Sequence, residues 1–430
     1  MNEDFLQYLW RFQRFRTGGL HTTCGQEIVV IKPGMHNSDA GPDFLDARLS
    51  IGGTLWAGNV EVHVRASDWM KHKHHLDKAY DNVILHVVYH ADEAIRNGEG
   101  QTIPALNLQG LFDYQAWRNY RTWLKQDGFI ACEGMIADVP DLVKAAAVEA
   151  SAISRLQDKS ANCLDHLRQS KGNVEEVFYR LLCRSMGLKV NAMPMEQLAL
   201  STPLSLLRKC GQDEMDLQAL LLGQAGFLSA DEAPRDSDFV SELQERYAFF
   251  VRKYQVRPMP SSAWKLFRLR PQNFPQLRLA QLARFYSERK AVVQYLLDAS
   301  NLDAIRKIFS LKLDHPFWRK HYTLKHESPE KTKALGKNAV DLIIINAVIP
   351  FLFALSRYNE SEETREKALG LLEELPPENN RIIRGYKELG FSVKSGFDSQ
   401  GLIHLKKFAC DSKKCLTCKV GTHILNRDVA

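Results

Sequence analysis

Apolar residues recur at helical spacing in the opening stretch "FLQYLWRFQRF", and the pattern then changes period. "EIVVIKPG" (27–34) reads as a strand stopped by Pro-Gly. "DFLDARLSIGG" and "LWAGNVEVHVRAS" read as two further strands joined by a Gly-Gly hairpin turn. "SDWMKHKHHLDKAYD" reads as a short helix or an ordered loop, with Ser67 as a candidate N-cap. "NVILHVVYH" (82–90) is a β-branched run suited to a strand buried on both faces, and "IPALNLQGL" adds one more strand. The order helix, three strands, helix, strand predicts a mixed sheet with one crossover.

From about residue 114 the strand signal nearly vanishes. Helical periodicity dominates, as in "LVKAAAVEASAISRLQDKSANCLDHL", "VEEVFYRLLCRSMG" and "DFVSELQERYAFFVRKYQV", with no fixed repeat. "VRPMPSSAW" (256–264) is the clearest irregular segment. The longest apolar run, "AVDLIIINAVIPFLFAL" (339–355), carries Asp341, Asn346 and Pro350. It predicts a buried helix kinked or broken near Pro350 rather than a membrane span. The expected class is α+β: an α/β domain at 1–125, a large all-α domain at 126–405, and a C-terminal cysteine segment at 406–430.

Composition changes this picture little, since 45% apolar and 25% charged residues describe an ordinary globular chain. Charge placement changes it more. Residues 251–340 hold 19 lysines and arginines against 6 acidic residues, although the whole chain carries only +6. Such a segment suits a polyanion, with a solvated helical surface as the alternative. The N-terminus has no signal-peptide pattern, so the eight cysteines are expected to be thiols in a cytoplasmic protein.

The chemistry concentrates between residues 39 and 90. On the third strand Val60, Val62 and Val64 share one face, while Glu61, His63 and Arg65 share the other. Hairpin pairing can bring Asp43 beside Glu61. Two carboxylates next to an imidazole suit a hard dication such as Mg2+ or Mn2+, which orients and acidifies a water. His72, His74, His75, Asp77 and Tyr80 lie nearby as further metal or phosphate contacts or as a solvated polar helix. His86 reads as a buried, hydrogen-bonded core histidine. Asp39 is a further candidate, and Asp46 is expected to face away from Asp43.

"Gly-Pro-Asp-Phe" followed by "Glu-Val-His" on the next strand resembles the PD-(D/E)xK nuclease superfamily, whose core order matches the one above. The resemblance implies a restriction-endonuclease-like core in which Asp43 and Glu61 hold the metal. His63 stands where that family has lysine, with Arg65 as a substitute positive charge. More widely, "NSDAGPDFLDARL", "GNVEVHVRASDWMKHKHHLDKAYDNVILHVVY", "ALLLGQAGFL", "WKLFRLRPQNFPQLRLAQLA" and "CLTCKVG" resemble a bacterial family known as domain of unknown function 2851. That likeness implies no particular activity.

Two later motifs add candidate sites. Trp264, Arg268, Arg270 and Arg278 mix arginine with aromatics in the manner of single-stranded nucleic-acid binders. The alternative is a core helix with solvated arginines. Cys410, Cys415 and Cys418 have knuckle spacing, and His423 can complete a Zn2+ site. The nuclease resemblance implies another closure, an iron–sulfur cluster that takes Cys24 as its fourth ligand. The expected function is a metal-dependent nuclease with nucleic acid as partner and no membrane. The alternatives are an inactive nuclease fold that binds without cutting, and a helical protein-interaction scaffold.

Overall fold

Helix α1 (Glu3–Phe12) buries Phe5, Leu6, Tyr8, Leu9 and Trp10, and Asn2 caps it by accepting the Phe5 N–H. The apolar stripe of the first twelve residues thus becomes one helix face, and polar positions such as Gln7 are left toward the sheet edge. The computed structural model describes residues 1–37, 39–229 and 237–427. It is an α+β chain with an N-terminal mixed sheet and a large helical part.

The sheet contains β1 (Leu20–His21), β2 (Glu27–Lys32), β3 (Met35–His36), β4 (Phe44–Ile51), β5 (Thr54–Arg65), β6 (Val83–His90) and β7 (Ala105–Asn107). Its order is β1-β2-β4-β5-β6-β7, with β3 paired to β4. The pairs as far as β4–β5 are antiparallel; β5–β6 and β6–β7 are parallel. Positive φ at Gly52 and Gly53 makes the β4–β5 turn. Gly58 is needed where β5 meets β6: a Cβ there would lie 2.5 Å from Ile84 Cγ2 and 2.6 Å from the Asn82 carbonyl.

The parallel step from β5 to β6 crosses over through helix α2 (Asp68–Lys71) and two short 3-10 turns. Ala66, Trp69 and Tyr80 of this connection pack with Val83, Val88, Ile95 and Ile103. Helix α3 (Tyr114–Lys125) adds Tyr120 and Trp117 to an aromatic cluster around Phe5.

The chain divides into two units. The first is 1–151 with 379–392 and 402–430; the second is 152–378 with 393–401. Helix α4 (Asp141–Gln169) runs through the boundary, so the division does not fall at residue 125. The C-terminal cysteine segment belongs with the first unit. The second unit is helical, with one correction: Lys312–Leu313 and Lys333–Ala334 form a short antiparallel pair. Its core includes Phe178, Tyr179, Trp318 and Phe351, all essentially without exposure.

The 337–358 run is long and apolar enough to cross a membrane, but 78% of its most apolar window is buried inside the protein. It is not broken at Pro350. A π turn at Ile344–Val348 comes just before it, so the missing proline N–H is absorbed by a widened turn. Asp341 is held there by Arg306, at 2.8 and 3.1 Å.

Candidate metal centre

Phe44 pairs with Val60 across β4 and β5, which places the preceding residue, Asp43, beside Glu61. The Asp43 N–H donates to Glu61 Oε2 at 3.0 Å, and Asp43 Oδ2 accepts the Val62 N–H at 3.0 Å. Gln7 of α1 donates through Nε2 to Asp43 Oδ1 at 2.9 Å. Gln7 carries no chemical signature in the sequence, and only packing of α1 on β5 brings it here.

Parallel pairing then puts Glu61 beside His86 and His63 beside Val88. His63 Nδ1 lies 2.8 Å from His86 Nε2, and both rings are fully buried. The face that carries ionisable groups is therefore closed over by the crossover.

The crossover completes the cluster. A continuous helix would place His72 and His74 about 200° apart around its axis. Instead α2 stops, Lys73 takes a left-handed φ of 61°, and a 3-10 turn begins at His74. Both imidazoles turn toward His63. His72 Nδ1 is 3.1 Å from His63 Nε2. Glu61 Oε1 is 3.5 Å from His63 Nε2 and 3.4 Å from His74 Nε2. One nitrogen from each of His63, His72 and His74 lies within 4.8 Å of the others. Trp69 and Tyr80 wall the group, with Tyr80 stacked on His74 at 3.9 Å.

Glu61, Asp43, Glu3, His63, His74 and His86 are each pushed toward the neutral form. Burial, then Asp43, raises Glu61 to about 9. Burial raises Asp43 to about 6, and burial followed by Asp43 raises Glu3 to about 7. Burial, then the neighbouring imidazoles, lowers His63 to about 3 and His74 to about 4; His86 falls well below the ordinary histidine range. These are neutral imidazoles with free lone pairs beside carboxyls that lack a counter-charge. Nε2 of His74 is buried without a hydrogen-bond partner. The donor set therefore fits a bound dication, which would satisfy that nitrogen and reverse the preference of Glu61. With the His63 lone pair on Nε2, its Nδ1–H donates to His86, which fixes the ring.

The left-handed Lys73 gives a direct test. Lys73→Gly is expected to leave folding and Co2+ affinity near wild type. Lys73→Val is expected to cost about 1–2 kcal/mol and weaken Co2+ binding, because a β-branched residue resists that conformation. Thermal melts and a Co2+ titration read both effects, and equal Co2+ affinity in the two variants would show that the break at Lys73 does not set the site.

Other candidates lie elsewhere. Arg65 is exposed at the strand end, 3.8 Å from Asp92, and is not brought to the cluster. Asp46 sits at a bulge with φ 56° and is exposed, as is Asp39. Asp77 caps a 3-10 turn by accepting the Ala79 N–H. His86 is buried as expected, yet its bond goes to a site residue.

In the second unit, Trp264 is a core residue that donates to the Ala225 carbonyl. Arg278 is also buried, held by Asn273 and Gln281, and burial lowers it to about 10. Neither presents a surface to nucleic acid: Trp264 is buried after the turn Ser261–Ala263, and the helix Pro275–Glu288 that carries Arg278 is buried nearly all round. Arg268 and Arg270 are exposed, and Arg268 lies over the exposed Phe267 ring.

Among the cysteines, Cys24 is exposed in the turn before β2. Cys410 ends a π turn at Leu405–Cys410, and Cys415 and Cys418 follow before the helix Lys419–Arg427. Nε2 of His423 is buried without a partner.

No curated protein and no solved structure matches the chain. A family profile described as "Protein of unknown function (DUF2851)" matches residues 3–381, and the chain therefore belongs to that family.

Proposed function

We propose that this protein is a divalent-metal-dependent phosphodiesterase acting on nucleic acid. The observation that carries the reading is the convergence of Glu61, His63, His72 and His74 on one point, with Asp43 adjoining Glu61. Glu61, His63, His72 and His74 would hold the ion, and three imidazoles with a carboxylate suit Mn2+ or Zn2+ better than Mg2+. A bound dication supplies charge stabilisation and acidifies water. Asp43, near neutrality at about 6, is placed to orient that water or take its proton. His86 holds the His63 ring, and Trp69 with Tyr80 packs against His74, while His72 stays exposed.

Three features favour a polyanionic substrate. A cleft of about 610 Å³ is lined by Gln7, which holds Asp43, together with His36, Arg11, Lys413 and Lys414. On the crossover, Lys71, Lys73 and Lys78 are exposed beside the histidines. In the helical unit, Phe267 with Arg268 offers a separate exposed aromatic–cation pair.

The test is cleavage of single- and double-stranded DNA and RNA with Mg2+, Mn2+, Zn2+ or Co2+, wild type beside Glu61→Ala. Metal-dependent cutting reduced at least ~1000-fold in the variant is expected, since the site would lose its one anionic ligand. Salt-dependent binding without cutting by folded wild type would replace this reading with the non-catalytic one.

A further inference from the structure

Cys132 is one of five cysteines scattered through the sequence, and no local motif surrounds it. The fold gives it neighbours. Cys132 precedes the 3-10 turn Glu133–Asp138, and the Glu133 carboxylate accepts the Phe129 and Ile130 N–H groups, which fixes the loop. Phe129 packs its ring against Tyr386 at 5.2 Å, and a Cβ at Gly385 would sit 2.6 Å from that ring. Tyr386 Oη is 3.3 Å from Cys410 Sγ. From the other side, Lys413 donates through Nζ to the carbonyls of Leu124 and Gln126, at 2.9 and 2.7 Å. The start of the 410–418 turn is thus tied to the 124–132 segment at two points.

The turn itself is tight. Lys413 is left-handed, the Cys418 N–H reaches the Cys415 carbonyl, and a Cβ at Gly421 would lie 2.2 Å from that carbonyl. A charge on Cys132 would feel Cys418, Cys410 and Cys415; one on Cys415 would feel Cys418 and Cys410. Tyr386 contacts Cys410, and a charge on Tyr386 would also feel Cys418 and Cys132. Burial raises all four thiols, Cys410 to about 11 and Cys415 to about 12. Cys132 and Cys415 are buried. Thiols that act on one another's charge, in a turn tied to the loop that carries the fourth, match a soft-metal site better than four independent core residues.

We propose that Cys132, Cys410, Cys415 and Cys418 form a tetrathiolate metal centre that joins the 130s loop to the C-terminal segment of the first unit. Four sulfur donors select Zn2+ or an iron–sulfur cluster over hard ions. The centre is separate from the histidine cluster in both residues and ligand chemistry. Its role is structural: the free energy of metal binding becomes folding free energy for a cross-link between segments far apart in sequence. Cys132 replaces both His423 and Cys24 as the fourth ligand.

The experiment uses the full chain purified without oxygen, with metal content measured per chain alongside the visible spectrum. One sulfur-bound zinc per chain, or iron with acid-labile sulfide and broad visible absorption, is expected, and these two results separate the two metals. Cys132→Ser should lose that metal as completely as Cys415→Ser does, while Cys24→Ser and His423→Ala keep it. Co2+ added to metal-free wild type should give sulfur-to-cobalt charge-transfer bands that Cys132→Ser lacks. If the serine variants do not fold, alkylation of folded wild type decides the matter: Cys410 and Cys418 should be protected until a chelator is added. Full metal content in folded Cys132→Ser, or thiols in wild type that alkylate equally with and without chelator, would overturn the proposal.

Discussion

Glu61→Gln is expected to make the metal-free protein more stable at alkaline pH while destroying its metal affinity. In the folded chain burial holds the Glu61 carboxyl at about 9, against an ordinary value of 4.5. A group raised on folding contributes its full stability below the lower value and loses it as pH rises through the upper one. Above about pH 5, therefore, folding of metal-free wild type is progressively opposed by the need to keep Glu61 protonated. The amide has no such requirement. It can still accept the Asp43 N–H, the bond that Glu61 Oε2 now accepts.

The lowered values at His63 and His74 act in the opposite direction, below the ordinary histidine range. Both proteins share them, so they largely cancel in the comparison. In chelator, the melting temperature of Glu61→Gln should draw level with wild type near pH 5 and exceed it at pH 8–9, a gain of about 1–3 kcal/mol. Mn2+ or Zn2+ should restore the order, because a dication reverses the preference of a carboxylate and does little for an amide. Affinity by calorimetry should fall by more than ~100-fold, beyond what is lost with residues that merely orient ligands. Unchanged affinity, or no growth of the stability gap with pH, would remove Glu61 from the metal centre.

The second large effect is expected at Trp69. Its side chain is fully buried, donates through Nε1 to the Arg96 carbonyl, and meets the rings of His74, Tyr80 and His86 at 5.4–5.8 Å. Trp69→Ala should cost about 3–5 kcal/mol through the cavity it leaves. Trp69→Phe should cost less, mainly by orphaning the Arg96 carbonyl, about 1–1.5 kcal/mol. Metal affinity should fall along the same series although no ligand has changed, because His74 loses the wall that fixes its ring. Denaturant unfolding and a Co2+ titration on the folded fraction measure the two quantities. A Trp69→Ala protein that is destabilised but binds Co2+ normally would show that the crossover holds its histidines without this wall.

By itself the sequence determined the local elements and one row of the site. Period-2 alternation placed Glu61 and His63 on one face of β5 and the Gly-Gly turn fixed the hairpin, although only the bulge at Asp46 shifts Asp43 from Val62 to Glu61. These are short-range consequences of strand geometry, and strand geometry is written in residue order. Tertiary structure decided the rest. The left-handed break at Lys73 aims His72 and His74 at His63, and nothing in a run of lysines and histidines announces it. Arg65 shares the face of Glu61 by parity yet lies at the exposed end, where the covering crossover does not reach it.

Trp264 and Arg278 looked like a nucleic-acid surface because aromatic and basic residues alternate there. Burial of Trp264 beside Ala225, and all round the helix that carries Arg278, made them core. The partnership proposed for Cys132 with Cys410, Cys415 and Cys418 has no trace in the sequence, because these residues lie far apart along the chain. In each case the sequence fixes which face a side chain takes, and long-range packing fixes what that face meets, since burial, desolvation and convergence of ligands depend on segments that have no sequence proximity to the residue they surround.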